Sequence, residues 1–514
     1  MPDCTVHQVA DKFQPTLDTV SVTQYVGPMG ADCDLASWVL EVDRNSDGDF
    51  IDDGEDVIDD VLAATGIRTF RGREQALQIS PPRVGEMAFE LDNRAGAYSA
   101  GSTVEAGRPA RLQGHYNEPY DIWRGELDKP IQFPDWDQQS TAITAQGAMG
   151  KLAGTVVSTA LYTSIRTDVA IGHLLDAAGW PAADRDLDTG KTTLVWWWLD
   201  EEDAWDALSS LMWTEGPGAG IYEGADGKLV FHNRHYLLTQ TVSKAAQTEI
   251  TDNGASPRMG DGFVLEDGLD NVINAATLKV VRRSAKSTEA IWSLGATLTL
   301  SPSEVVKYRI RRSSGDPFQG ALTPVAATDY TITAGAVTPV LDRTSGASVE
   351  LTLTAGAAGA TMTGLQMRAD PVTIDAENLV SNRVDASASI TKYLTRTLPD
   401  GYVIRNEIAQ TDCQDLVDAI VGWYRNGRER VRAPIYNNDE ASQTAALARD
   451  LDDRINVDVT VGAIDVDRDF YVFGIETAIH SRRAAVTTWH GEEVNDNEYG
   501  AWGVGKWDAH IWGY

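Results

Sequence analysis

Cysteine, histidine and positive charge are all scarce in this chain of 514 residues, and each shortage removes a class of explanation. Only Cys4, Cys33 and Cys413 occur, an odd number whose spacings form neither a zinc motif nor a disulfide framework; that usage fits folding in a reducing compartment. Of the eight histidines, His232 and His235 are the one close pair. On a strand such an i, i+3 pair points to opposite faces, so the imidazoles do not converge on a metal, and H-E-x-x-H is absent. The 43 Lys and Arg face 76 Asp and Glu, a formal net charge of -33. That balance opposes tight binding to nucleic acid or an anionic membrane, which rests on neutralising phosphates.

Other absences are as informative. No run approaches the ~18 apolar residues of a membrane helix, and Met1-Pro2-Asp3-Cys4-Thr5 lacks the basic and apolar regions of a signal peptide. No membrane insertion by this chain is expected. Asp188-Thr189-Gly190-Lys191-Thr192-Thr193 carries the G-K-T end of a phosphate loop, but Arg185 stands where the first glycine belongs. Gly216-Pro217-Gly218-Ala219-Gly220 lacks the placement of a dinucleotide loop. Cys413, in a segment where Thr411 or Asp412 can cap the following helix, reads as a packed residue. Nothing singles out a catalytic group, and no enzyme is expected.

The length suggests roughly three or four domains. Residues 1-150 read as β structure, a barrel or sandwich: Glu86-Met87-Ala88-Phe89-Glu90-Leu91 and Tyr120-Asp121-Ile122-Trp123-Arg124-Gly125 alternate with period two. Residues 151-245 form a mixed α/β domain, with helical spacing over Asp168 to Gly179 and Asp203 to Glu215 and strands at Thr192 to Leu199 and Lys228 to His232. Residues 246-380 are rich in Thr and Ser and read as short strands. Residues 381-514 carry two helices, return to strands at Arg454 to Val459 and Phe470 to His480, and end in a Trp and Gly rich tail.

Within the first domain lies an acidic stretch over residues 43-56, Asp43-Arg44-Asn45-Ser46-Asp47-Gly48-Asp49-Phe50-Ile51-Asp52-Asp53-Gly54-Glu55-Asp56. Its D-x-N-x-D-G start copies half of a calcium loop, in which alternate oxygens and one glycine bend the chain around a hard cation. Position twelve is Gly54 instead of a bidentate glutamate, and Ser37 to Val42 before it reads as a strand instead of a helix. The segment Asp56 to Val61 after it also reads as short and β-prone. The stretch is thus a long connection between strands, either a solvated tip or a Ca2+ clip. In the clip Asp43, Asn45, Asp47 and the carbonyl of Asp49 would supply oxygens, with Asp52, Asp53 or Glu55 closing the sphere.

Trp196-Trp197-Trp198 lies in a strand, so Trp196 and Trp198 face one way and Trp197 the other; packing under a helix is favoured over a sugar platform. In the tail, Trp502, Trp507 and Trp512 suit a contact between chains.

An ordered set of short features adds a resemblance. After the acidic loop come Phe70-Arg71-Gly72-Arg73, Leu91-Asp92-Asn93 with Gly96 and Tyr98, and Trp123-Arg124-Gly125-Glu126. They are followed by Leu174-Leu175-Asp176-Ala177-Ala178-Gly179-Trp180-Pro181, Asp203-Ala204-Trp205-Asp206-Ala207-Leu208, Ala225-Asp226-Gly227-Lys228-Leu229-Val230-Phe231 and Gly364-Leu365-Gln366-Met367-Arg368-Ala369. Together these resemble the minor tail proteins of actinobacterial long-tailed phages and gene transfer particles, of the baseplate hub or tail-tip hub type. The resemblance implies a multidomain, mainly β fold with an α/β insertion. Two tube-like antiparallel β-barrels, one from residues up to about 150 and one from the C-terminal region, would be joined by an α/β domain and a β-rich domain.

It further implies a structural virion protein of the tail tip, assembled in the bacterial cytoplasm as a ring, a homotrimer, through which DNA passes on ejection. Its partners would be other copies of itself, a distal tail protein, the tail tube, and tip, fibre or peptidase subunits. The acidic composition would then serve a lumen that repels DNA. Two alternatives stand beside this reading: a distal tail adaptor forming a hexameric ring, and an envelope-directed glycan-binding module or hydrolase.

Overall fold

The computed structural model describes residues 37–73, 83–99, 104–134, 139–252, 257–375, 379–384, 388–398, 406–437, 439–461, 464–481, 484–494, 499–500 and 511–512. The chain is mainly β, and twelve of its strands form one sheet. In chain order these are β1 (Ser37–Val42), β2 (Ile67–Gly72), β3 (Glu86–Asp92), β4 (Pro109–Tyr116), β5 (Glu118–Pro134) and β6 (Gln139–Gly147). They continue with β7 (Glu249–Thr251), β8 (Val264–Asp267), β9 (Glu429–Tyr436), β10 (Arg454–Val461), β11 (Ile464–Ser481) and β12 (Ala484–Glu493). The main path runs β1-β4-β5-β6-β3-β2-β11-β12-β9-β8, with β10 on β11 and β7 on β10.

Period-two alternation places Trp38, Leu40 and Val42 of β1 on the same side as Leu112 of β4 and Met87, Phe89 and Leu91 of β3, all buried in one core. That side is enclosed. After β1 the chain loops out and returns, so that Val42 N–H donates to Glu55 O at 3.0 Å and Val57 N–H to Leu40 O at 2.8 Å. A 3-10 turn, Ile58–Asp60, then leads to Val61, which bridges Leu91 of β3. Residues 55–62 therefore tie the outer side of β1 to the end of β3 and close a first barrel. The strand expected over 56–61 is interrupted because Val57 and Ile58 are both buried while Asp59 and Asp60 are exposed. Two neighbours cannot share one face of a strand.

The C-terminal strands close in a comparable way from remote segments. β7 lies parallel on β10, Thr251 bridges Arg258, and Met259 bridges Ile435 of β9. The circuit β10-β11-β12-β9 thus returns through residues 258–260 and β7 around Ile250, Val431, Ile435, Ile455, Val457, Phe470 and Trp489. The two barrels share one ladder: β2 pairs antiparallel with β11 from Ile67↔Ile479 to Gly72↔Gly474. β11 pairs with β10 over its first half and with β2 over its second, so one strand belongs to both barrels.

Beside them stands an α/β unit built on α1 (Thr167–Ala177), α2 (Ala204–Glu215) and α3 (Gln410–Tyr424), with Leu174, Leu208, Leu211, Val417 and Ile420 in a common core. Asp203 caps α2, its Oδ1 accepting from Trp205 N–H at 2.9 Å and Asp206 N–H at 3.2 Å, which satisfies two of the open amides of a helix start. A β-rich unit has its own core of Ile310, Val349, Leu351, Leu353 and Met367. Arg309 and Arg311 of this unit pair with Asp200 and Glu201 of the α/β unit. A fourth helix, α4 (Glu440–Ala448), places Leu447 in the core of the first barrel.

Candidate functional site

The feature that joins the barrels is Phe70-Arg71-Gly72-Arg73, and its last three residues each have a task at the seam. Gly72 adopts φ +122, and a Cβ there would lie 2.3 Å from Phe473 O, so only glycine lets β2 approach β11 this closely. The flanking arginines are buried and reach into the α/β unit. Arg71 Nη1 donates to Glu223 O at 3.2 Å and pairs with Asp450 at 3.0 Å. Arg73 Nη2 donates to Ala219 O at 2.9 Å, with its guanidinium 4.7 Å from the Phe473 ring centroid.

Behind the seam is a buried polar network. His232 Nδ1 lies 2.8 Å from Asp452 Oδ2 and 3.1 Å from the Tyr222 hydroxyl. Glu223 accepts from Gly85 N–H at 2.6 Å and from Met149 N–H. Burial pushes its carboxyl up to about 7, against the pull of those two amides and Arg71. Burial likewise pushes Asp453 up to about 6. Every one of these groups has a hydrogen-bonding or charged neighbour, so the network clamps the barrels to the α/β unit. Sequence reasoning missed Glu223, Asp452 and Asp453, because nothing local distinguishes them from the other acids. The two arginines flanking Gly72 were the available signal.

The outer face of the shared ladder is polar and concave. A groove of about 550 Å³ is lined by Arg68, Phe70, Arg83, Glu86, Asp128 and Glu476, with Thr144 and Gln146 alongside. Its charges offset one another: Arg83 pairs with Glu86 at 3.0 Å, and Arg432 and His490 approach Glu476 at 3.9 and 3.7 Å. The acidic excess of the chain is not gathered here.

It is gathered in part at the tip over residues 43–56. Asp43 is fully buried, its two oxygens accepting from Ser46 and Gly48 N–H, and Gly48 sits at φ +94 where the turn requires glycine. Glu55 is also buried and accepts from Arg44 N–H at 3.2 Å and Asp52 N–H at 3.1 Å. Asn45 Nδ2 donates to Asp47 at 2.9 Å and Asp52 at 2.6 Å. Asp47, Asp49 and Asp52 are exposed and bring carboxylate oxygens within 4.8 Å of one another, and this trio offers the hard oxygen donors that a calcium ion takes. Asp43 and Glu55 shape the turn that positions the trio, and Asp53 is exposed outside it. Trp502 and Trp507 lie outside the described residues, as does the side chain of Trp512.

No family model matches the chain, and no curated protein matches it. Solved structures similar to it include three tail proteins. The tail protein from Neisseria meningitidis has 9% identity and a TM-score of 0.48, over 93% of this chain and 99% of that one. The tail protein of prophage MuSo2 from Shewanella oneidensis has 9% identity and a TM-score of 0.45, over 88% and 98%. Prophage tail protein gp18 from Listeria monocytogenes has 8% identity and a TM-score of 0.41, over 88% and 94%. At these identities no role passes from those chains to this one.

Proposed function

We propose that this chain is a structural subunit of a phage-like tail tip, a hub that forms a ring between the tail tube and the tip and through which DNA leaves. The observation that supports this reading is the pair of barrels joined edge to edge by the β2–β11 ladder. Three copies of such a chain supply six barrels, which matches a trimeric ring to a sixfold tube. The ordered motifs favour the same reading, since Phe70-Arg71-Gly72-Arg73 is the segment that welds the barrels and docks them on the α/β unit.

In this role the chain works through its interfaces and carries out no reaction on the cell envelope. Its neighbours are further copies of itself, a distal tail protein, the tail tube, and tip, fibre or peptidase subunits, at the tip of a virion assembled in the host cytoplasm. The Asp47, Asp49 and Asp52 trio holds Ca2+ as a local clip on the first barrel. Native mass spectrometry and electron microscopy of the purified chain test the assembly. A ring of three copies is expected, a ring of six would support the distal adaptor instead, and a chain that stays monomeric alone and with tail-tube subunits would reject both.

A further inference from the structure

The three consecutive tryptophans separate in the structure. They occupy the strand Thr193–Trp197 and the residue after it, and the register slips between Leu194 and Trp196, so that Leu194 and Trp197 both enter the core of the α/β unit. Trp197 is 2% exposed. Trp196 and Trp198 remain half-buried and line a cavity of about 430 Å³. That volume falls within the ~300–1,000 Å³ of small-ligand sites.

The remaining walls are polar, and parts of them are left without partners. Asp206 stands exposed on the first turn of α2. Across from it, Arg283 places its guanidinium 5.0 Å from the Trp198 ring centroid, and its buried Nε has no hydrogen-bond partner. An unmatched buried donor is costly, a loss that a bound acceptor would recover. Glu407 is 5% exposed, and its Oε2 accepts from Arg283 N–H at 3.0 Å. Asn406 is fixed by donating to Ser210 Oγ at 3.1 Å and Thr214 Oγ1 at 2.9 Å. Burial raises the Glu407 carboxyl above its ordinary range, against the pull of the Arg283 amide and guanidinium.

Flat indole faces beside carboxylates, an amide and a guanidinium form a combination with a specific use. The C–H face of a pyranose ring packs on an indole, and its hydroxyls both donate to carboxylates and accept from guanidinium. Glu202, Asp203, Asp206 and Glu407 outnumber Arg283 around the cavity, which opposes phosphate-bearing and uronic ligands. We propose that this cavity binds a neutral saccharide, one pyranose packed against Trp198 with its hydroxyls held by Asp206, Arg283 and Glu407. The site adds a glycan contact on the flank of the molecule and does not depend on ring formation, so its test is independent of the hub reading.

The test is titration of the full chain with chitotetraose, maltotetraose and tetragalacturonate, read by tryptophan fluorescence and saturation-transfer NMR. Saturable binding of at least one of the two neutral oligomers is expected, with the anionic oligomer at least about tenfold weaker. Trp198→Ala should weaken the neutral ligand by about tenfold or more, and Asp206→Asn by about threefold. Asp206 is exposed, so its variant keeps the fold even if loss of Trp198 does not. Absence of saturable binding to both neutral oligomers, equal or tighter binding of tetragalacturonate, or binding unchanged by Asp206→Asn and Trp198→Ala would overturn the proposal.

Discussion

The two barrels are alike in construction and unlike in how the chain reaches them. The first is made almost wholly from residues 37–147, with Ile479, Ala485 and Leu447 added from afar. The second draws β7 and residues 258–260 from one part of the chain and β9 to β12 from another, and its core also takes Tyr222 and Val230 of the α/β unit. One barrel is therefore largely a local product, whereas the other is held by pairings that close very long loops. Such pairings form late, because loop-closure entropy precedes their reward. The buried network of Asp452, His232 and Glu223 lies where both barrels meet the α/β unit.

The largest expected effects come from emptying each core. Trp38→Ala and Trp489→Ala each remove a fully buried indole and should cost about 3–5 kcal/mol. Hydrogen exchange should tell them apart: the first change should loosen residues 37–147, and the second should spread to residues 220–232 as well. Identical patterns would mean that the barrels unfold as one unit. Next comes the seam. Gly72→Ala drives a Cβ into Phe473 O in a left-handed conformation and should cost about 2–4 kcal/mol by urea unfolding. Gly107→Ala, at φ +86 with nothing within 4 Å, is the control and should cost about 1 kcal/mol.

The pH dependence of the clamp is a further measure. Glu223 stands at about 7 against an ordinary 4.5, so the native state holds its proton more tightly than the unfolded chain. Stability from this group is complete below pH 4.5 and is lost as the pH rises through about 7, on the order of 3 kcal/mol in all. Asp453, raised to about 6, acts with the same sign. Melting of Glu223→Gln across that range should show a flatter slope than the parent chain; an unchanged slope would remove Glu223 from the account. Apart from the Gly107 control, the smallest effect belongs to the acidic tip. Ca2+ at tenfold its Kd should stabilise the first barrel by about 1.4 kcal/mol, and chelator or Asp49→Asn should abolish that gain. A melt indifferent to both would leave the tip as a plain turn.

Much of the local structure was legible. Alternation in Glu86 to Leu91 and helical spacing before Gly179 correspond to β3 and α1, because each pattern is imposed by burying one face. Long-range partnership was not legible. Nothing in Ile67 to Gly72 specifies Gly474 to Ile479 as its neighbour, and the closures through residues 55–62 and 258–260 rest on a few backbone bridges that leave no periodic trace. The acidic tip was visible as a motif, yet which carboxylates converge depended on Asp43 and Glu55 turning inward to hold backbone amides. For the tryptophans, alternation separated Trp197 from its neighbours, but the cavity beside them is completed by Arg283 and Glu407, far away in sequence.

Residues 55–57 lie along the outer edge of β1. A bare edge strand invites recruitment of a foreign strand, the route to open-ended fibres. Here Glu55, Asp56 and Val57 already occupy that position beside Leu40 to Val42. At the other end of the main path, β8 is four residues long and carries Glu266 and Asp267, charges that discourage docking. Both ends of the main strand path are thus protected against growth by strand addition.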